Sequence, residues 1–337
     1  YSTPLLGKLL NSSTLIKGKD WDLNGVVRLA YSEKEKQEQV ALVNSGRWPQ
    51  DIAIPLSAKE TTSLIGFPCE TPALLLKQGG WLRPSDAVDT LLDHPNITLT
   101  CNALLNKLTP TTSGYLTSTS KQLSWQLCIQ KKDSSLQLNS DIVILANSFG
   151  ALTLEQTEHL PLRSVRGQVS YVPATEKSQK LKYALNYEGY TAPARNGLHC
   201  VGATFHPKAK HNTLDQKDQI TNLNNLSTGL ESFATALNID KQSNNINLKG
   251  RVGFRCQTPD YLPMLGPVPC LESFVEDYSP LRKGMLRDPM PLGEYHQGLY
   301  VSLAHGSRGI TSAPYCAEIL TNIIMGDVRA TDKQVLE

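Results

Sequence analysis

The sequence contains no long apolar run. The longest, Ile142 to Ala146, falls far below the roughly 18 residues that a spanning helix requires. No basic segment followed by an apolar stretch opens the chain as a signal peptide would. These absences lead to the expectation of a soluble, cytoplasmic protein without a membrane partner. There is also no Cys-x-x-Cys pair. The seven cysteines, at 69, 101, 128, 200, 256, 270 and 316, are odd in number and irregularly spaced. That argues for reduced thiols and against a disulfide framework or thiolate metal site. The seven histidines form no metal-spaced pairs, so no metal is expected. Gly-x-Gly-x-x-Gly, Walker, His-Glu-x-x-His and nucleophile-elbow sequences are all missing. A net excess of either charge is missing too: 33 cationic against 31 anionic side chains give +2, which neither demands nor excludes a polyanionic partner.

What remains is globular composition, 40% hydrophobic and 19% charged over 337 residues, enough for about two domains. The first residue is Tyr1, not Met, and the chain reads as a fragment. Trp21 to Tyr31 reads as a strand pair around Asn24-Gly25. A solvated helix is expected over 32–44. A short helix is expected after Arg83-Pro84, with Ala87, Val88, Leu91 and Leu92 on one face. Meandering strands are expected near 97–101, 104–109 and 123–130. Ser140 to Ala146 has the pattern of a strand buried on both faces, ending in the polar turn Asn147 to Gly150, where α/β sheets bind ligands. Strands return over 163–206, a helix fits 219–237, and Leu248 to Cys256 reads as a strand. Residues 266–294 read as a Pro-rich loop. Gly298 to Ala304 is another buried strand, and after it Gly306-Ser307-Arg308-Gly309 opens a helix over 312–325 with Pro314 in its first turn. The mixture predicts an α/β (mixed α+β) domain pair.

Three constellations could carry chemistry. A strand, a Gly-Ser-Arg-Gly turn and a helix leave backbone N–H groups unpaired at a positive dipole end, where glycines allow close approach of a planar, partly anionic cofactor. Arg251 and Arg255 share one strand face about 13 Å apart at ~3.3 Å per residue; they are either solvent-facing or paired charge, or a fork for a substrate carboxylate. Residues 161–211 hold eight cations, Arg163, Arg166, Lys177, Lys180, Lys182, Arg195, Lys208 and Lys210, against Glu176 and Glu188, a formal excess of +6. Tyr183, Tyr187 and Tyr190 are interleaved with them. This is either a solvated face with core tyrosines or an RNA-binding surface.

Four further stretches occur in order: Leu162 to Val169 (LRSVRGQV), Cys200 to His206 (CVGATFH), Gly253 to Gly266 (GFRCQTPDYLPMLG), and His305 to Pro314 (HGSRGITSAP) with Cys316 to Leu320. With Gly79 to Pro84 (GGWLRP), they resemble the FAD-dependent oxidoreductase halves of bifunctional tRNA 5-methylaminomethyl-2-thiouridine biosynthesis proteins, in the D-amino-acid oxidase and glycine oxidase superfamily. The resemblance runs from about Gly25 to the C-terminal region. Its Rossmann βαβ unit would precede the start of this chain, and a methyltransferase domain would precede that.

The resemblance implies a three-layer FAD/NAD(P)-binding domain, lacking its first βαβ unit, with an inserted mixed-sheet substrate domain. Residues 1–81 would be mainly substrate domain, 82–160 FAD-binding, 161–249 substrate domain, 250–268 FAD-binding, 269–296 a substrate-side loop and 297–337 FAD-binding. It implies an FAD-dependent oxidoreductase acting on a CH–NH group. The substrate would be a tRNA wobble uridine bearing a 5-carboxymethylaminomethyl arm, and the parent protein would also be an S-adenosylmethionine-dependent tRNA methyltransferase. Arg255 matches the position that holds the substrate carboxylate, and Arg308 a polar position beside the flavin. Gly306, Ser307, Arg308, Gly309, Ile310 and Thr311 would face the cofactor, as would Ala146, Asn147 and Gly150. Tyr190 and Arg166 would line the substrate pocket. An oxidase for glycine, sarcosine or a related small amine, and a non-catalytic RNA-binding remnant, are the alternatives.

Overall fold

The computed structural model describes residues 2–49, 52–112, 123–239, 248–285 and 289–327, in two compact units. Unit 1 comprises 1–94 and 165–254; unit 2 comprises 95–164 and 255–337. The fold is mixed α/β with mixed sheets.

The first stretch of unit 1 carries α1 (Ser2–Asn11), β1 (Trp21–Asp22), β2 (Val26–Leu29), α2 (Glu33–Asn44), β3 (Ala53–Leu56), α3 (Ala58–Ile65), β4 (Ala73–Leu76), β5 (Trp81–Leu82) and α4 (Pro84–Leu92). Next come β6 (Leu104–Thr112), β7 (Leu123–Gln130), β8 (Ser135–Ser140) and β9 (Val143–Leu145) of unit 2. β10 (Arg163–Pro173) leads back into unit 1, followed by β11 (Ala184–Asn186), β12 (Tyr190–Thr191), β13 (Leu198–Gly202), α5 (Gln216–Gly229), α6 (Glu231–Ala236) and β14 (Lys249–Gln257). The chain finishes in unit 2 with β15 (Met264–Pro269), α7 (Leu271–Asp277), β16 (Tyr295–Leu303) and α8 (Gly309–Met325).

Unit 1 is built on an eight-stranded sheet in the order β14-β10-β13-β12-β11-β2-β4-β3, with β11 and β2 parallel. Its core gathers Val27, Leu29, Leu185 and Val201 from the strands and Leu226 and Phe233 from the helices. Phe233 is fully buried, edge-on to Phe67 at 4.9 Å and to His199 at 5.3 Å. Unit 2 combines the antiparallel meander β6-β7-β8 with the sheet β15-β16-β9. Trp125 of the meander donates its Nε1–H to the Gln297 carbonyl at 2.9 Å, and both sheets feed one core around Leu145, Leu299 and Leu303.

Several local expectations are corrected. Asn24-Gly25 closes no hairpin: β1 pairs with β5, while β2 pairs with β4 and β11. Gly25 gives its N–H to Gly79 at 3.0 Å, and Asn24 spends its amide on Lys182, so the turn redirects the chain. The expected helix over 219–237 is two helices. Gly229 lies against the Tyr187 ring, and Leu230 leaves helical geometry at φ −156° while remaining in the core. On α4 only Ala87 is buried; Val88 and Leu91 are exposed. Residues 97–101 form no strand, whereas 135–140 do. The supposed loop 266–294 holds most of β15 and all of α7; its residues 286–288 lie outside the described ones. The strand near 143 is an edge strand, not buried on both faces: Val143 and Leu145 enter the core while Ile144 stays 48% exposed. α8 begins at Gly309, so Pro314 lies inside it. No helix among the described residues is long and apolar enough to cross a membrane.

Phe233→Ala should destabilise the protein by about 3–5 kcal/mol, read as a lower denaturant midpoint in equilibrium unfolding. A midpoint unchanged from wild type would show that this ring is not a keystone of unit 1.

Candidate active site

The site grows from the parallel pairing of β9 with β16, which sets Val143, Ile144 and Leu145 against Leu299, Tyr300 and Val301. Parallel strands in register end side by side, so the turns after Leu145 and Leu303 are neighbours. Both turns contain left-handed backbone: Ser148 at φ 58°, Ala304 at φ 59° and Gly306 at φ 57°. For Ala and Ser this conformation costs energy and is held by its surroundings. Cys256, buried at the end of β14, supplies part of the hold. Its thiol, raised by burial, meets the Ser148 side chain and the Ala304 backbone, and its carbonyl accepts the Gly306 N–H at 2.9 Å. A Cβ on Gly306 would stand 3.3 Å from the Gln257 side chain. A side chain there would have to push Gln257 aside and adopt a left-handed backbone, so glycine is favoured.

The candidates of unit 2 come together here. Ala146 and Asn147 are exposed at the end of β9, and the Gly150 N–H bonds the Asn147 carbonyl at 3.0 Å. Ser307, Arg308, Ile310 and Thr311 are exposed around the start of α8. The N–H groups of Thr311 and Ser312 turn back to the Arg308 carbonyl, whereas those of Gly309 and Ile310 have no acceptor among the described residues. α8 thus offers donors and the positive end of its dipole at the same place. Arg255, half-buried, immediately precedes Cys256 on β14 and belongs to this unit. Arg251, on the unit 1 part of the strand, is exposed.

Sequence reasoning missed the groups that fix this turn. His305 bridges two serines: its ring contacts Ser312 Oγ at 2.9 Å through Nδ1 and Ser302 Oγ at 3.2 Å through Nε2. Ser312 gives its own hydroxyl proton to the Arg308 carbonyl, so Nδ1–H donates and Nε2 accepts from Ser302. Burial lowers the His305 pKa, favouring the neutral ring. Tyr261 was also missed; it is 61% exposed with φ 64°, in a loop held by Thr258 Oγ1–H to Leu262 O and by the Leu262 N–H to Asp260. Only proximity to the Gly-Ser-Arg-Gly turn and the Pro-bracketed word PDYLP signalled them.

The FAD dependent oxidoreductase model matches residues 2–323. The chain belongs to that family. It is 34% identical over 308 residues to a tRNA 5-methylaminomethyl-2-thiouridine biosynthesis bifunctional protein from Chromobacterium violaceum, covering 91% of this chain and 44% of that relative. A relative of the same name from Stutzerimonas stutzeri is 32% identical over 320 residues, with 95% and 45% covered. The chain thus spans less than half the length of these curated relatives. Among solved structures it resembles the glycine oxidases of Bacillus cereus and Geobacillus kaustophilus, each with TM-score 0.71, at 16% and 17% identity. These cover 98% of this chain and 82% and 79% of theirs, a likeness of fold.

The two candidates of unit 1 stand differently in this FAD dependent oxidoreductase. Tyr190 is 40% exposed on β12, and its carbonyl accepts the hydroxyl of buried Tyr187 at 3.1 Å. Arg166 is only 1% exposed and is corrected from a pocket residue to a framework one. Its guanidinium pairs with Asp218 and donates to His211 O at 2.9 Å, Thr213 O at 2.8 Å and Gln168 Oε1 at 3.1 Å. Asp218 also accepts from His206 at 2.6 Å. Burial pushes the Asp218 carboxyl up, but the hydrogen bonds from Arg166 and His206 outweigh it and hold it below 3.8. Its stabilisation is therefore fully present above that value and lost as pH falls further. Asp218→Asn should cost about 3–5 kcal/mol near neutral pH by stranding a buried guanidinium. The gap to wild type should narrow as the pH falls below the ordinary carboxylate range in pH-resolved denaturation. A pH-independent gap would refute the assignment.

Proposed function

We propose that this chain is the oxidase part of a bifunctional tRNA-modifying enzyme. It would remove the carboxymethyl group of 5-carboxymethylaminomethyl(-2-thio)uridine at the wobble position, leaving 5-aminomethyl(-2-thio)uridine. The reading is supported by the turns 146–150 and 304–309 that follow the paired strands β9 and β16 in unit 2, with Arg255 adjacent in sequence to Cys256, whose carbonyl holds Gly306. The relatives' name supplies the substrate class.

The residues suit FAD: donors at Gly309 and Ile310, a left-handed Gly306 packed close to Gln257, and exposed Ala146, Asn147, Ser307, Arg308 and Thr311 around the strand ends. When bound, FAD supplies a two-electron acceptor for oxidation of a C–N bond. The protein's own residues bind and orient. The Arg255 guanidinium is suited to grip the carboxylate of the substrate's N-linked glycyl arm by two parallel N–H···O bonds, fixing the methylene beside the nitrogen. The start of α8 favours negative charge, and neutral His305 keeps the turn rigid without adding a cation. Hydrolysis of the oxidised arm releases glyoxylate and leaves the amine on the uridine. Unit 2 would hold the cofactor. The parent's other activity would be an S-adenosylmethionine-dependent methyl transfer in a fused domain, and the setting cytoplasmic.

In the whole protein, Arg255→Ala should lower kcat/KM on the modified tRNA about a hundredfold or more, while the flavin absorbance of the purified protein is retained. Arg255→Lys should recover only part, because an ammonium cannot grip both oxygens in the same plane. Undiminished turnover would remove Arg255 from the site. Flavin reduction by glycine or sarcosine but not by tRNA would reassign the enzyme to small amines, and a colourless protein that binds tRNA would favour a non-catalytic role.

A further inference from the structure

Unit 1 contains a cavity of about 580 Å³ that plays no part in the site above. Its volume lies within the range of small-ligand sites. Trp81, Asn24, Lys182, Lys19, Gln179 and Arg195 form much of its wall. One carbonyl organises it: Lys182 O accepts both Asn24 Nδ2–H at 3.0 Å and Trp81 Nε1–H at 3.2 Å, which fixes the indole beside the amide. On the other wall the Arg195 guanidinium is committed to Asp20, to Asp86 at 3.2 Å and to Lys19 O at 2.6 Å.

The chemistry selects the molecule. A free phosphate needs converging donors, yet Arg195 has spent its terminal nitrogens on carboxylates, and Asp22 also lines the cavity. What is left on the wall is the indole of Trp81 and the Gln179 amide, which suit the face and the hydrogen-bonding edge of a nucleobase. Lys19 and Lys182 are exposed at the rim, and Lys177 and Lys180 flank Gln179 along the chain, a track of cations suited to the phosphates on either side of a base. Resting on the tRNA reading above, we propose that this cavity receives one unpaired nucleotide of the tRNA, its base stacked on Trp81 and its neighbouring phosphates on Lys182 and Lys19.

The test is filter binding of tRNA to the whole, flavin-loaded protein at several salt concentrations. Base stacking on an aromatic supports about tenfold or more in affinity, so Trp81→Ala should weaken binding at least that much while Trp81→Phe stays within about threefold. Lys182→Gln, at an exposed position that does not threaten the fold, should lower the slope of log Kd against log salt by about 0.7 to 1. Lys34→Gln removes the same charge from a solvent-facing position on α2 and should bind as wild type. Wild-type affinity and salt slope in both Trp81→Ala and Lys182→Gln overturn the proposal. Failure of the wild-type protein to bind tRNA at all overturns the tRNA reading itself, and the two failures are told apart by which protein shows them.

Discussion

The parallel ladder between β9 and β16 is the constraint on which the site depends. Parallel partners cannot be joined by a tight turn, and here the chain between them runs through the second half of unit 1 and back before β16 forms. Because the two strands share direction and register, both release their chains at the same edge. Backbone groups beyond that edge have no ladder partners and must find others. Some do so locally, as Gly306 does with Cys256, while those of Gly309 and Ile310 at the start of α8 find no acceptor among the described residues. The left-handed residues Ser148, Ala304 and Gly306 follow from the same demand, since each chain must turn sharply at the edge. Their cost is borne by the core beneath, where Leu145, Leu299 and Leu303 hold the strands in place.

Most elements were legible in the sequence because their signals are local. Alternation marked β7, the three-and-four spacing marked α5 and α6, and the Gly-Ser-Arg-Gly turn marked the opening of α8. What misled were signals whose meaning is settled by a distant partner. Asn24-Gly25 has the composition of a hairpin turn, yet its groups are claimed by Gly79 and Lys182. Gly229 reads as an ordinary weak helix residue until the Tyr187 ring lies against it. Ser140 to Ala146 looks buried on both faces, but burial depends on what covers the far face of an edge strand, which hydrophobicity does not encode.

Arg166 shows the same limit within the site. The family resemblance implied a place for it in the substrate pocket, yet its carboxylate partner lies 52 residues away on α5. Charge counted along a sequence is an upper bound on charge available to a ligand. Of the eight cations between 161 and 211, Arg166 is neutralised by Asp218 and Arg195 by Asp20 and Asp86, while Arg163 and the five lysines remain exposed. Tyr187 likewise proved to be core, its phenol pushed up by burial, leaving Tyr190 as an exposed ring.

That sorting gives the near-neutral bulk charge a physical meaning under the proposed function. A protein cationic all over would hold any nucleic acid through many phosphates, with affinity steep in salt and little dependence on where the contact falls. Here acids pair with Arg166 and Arg195, and the surviving cations of this segment are mostly lysines, hydrated point charges that position a backbone without demanding one geometry. Under the proposed function a few such contacts would orient an RNA and leave recognition to the modified arm, where one arginine could distinguish a carboxylate from its absence. Under that reading, weak, local backbone contacts would also favour release once the carboxylate has been removed, since the product would lack the group that Arg255 is proposed to hold.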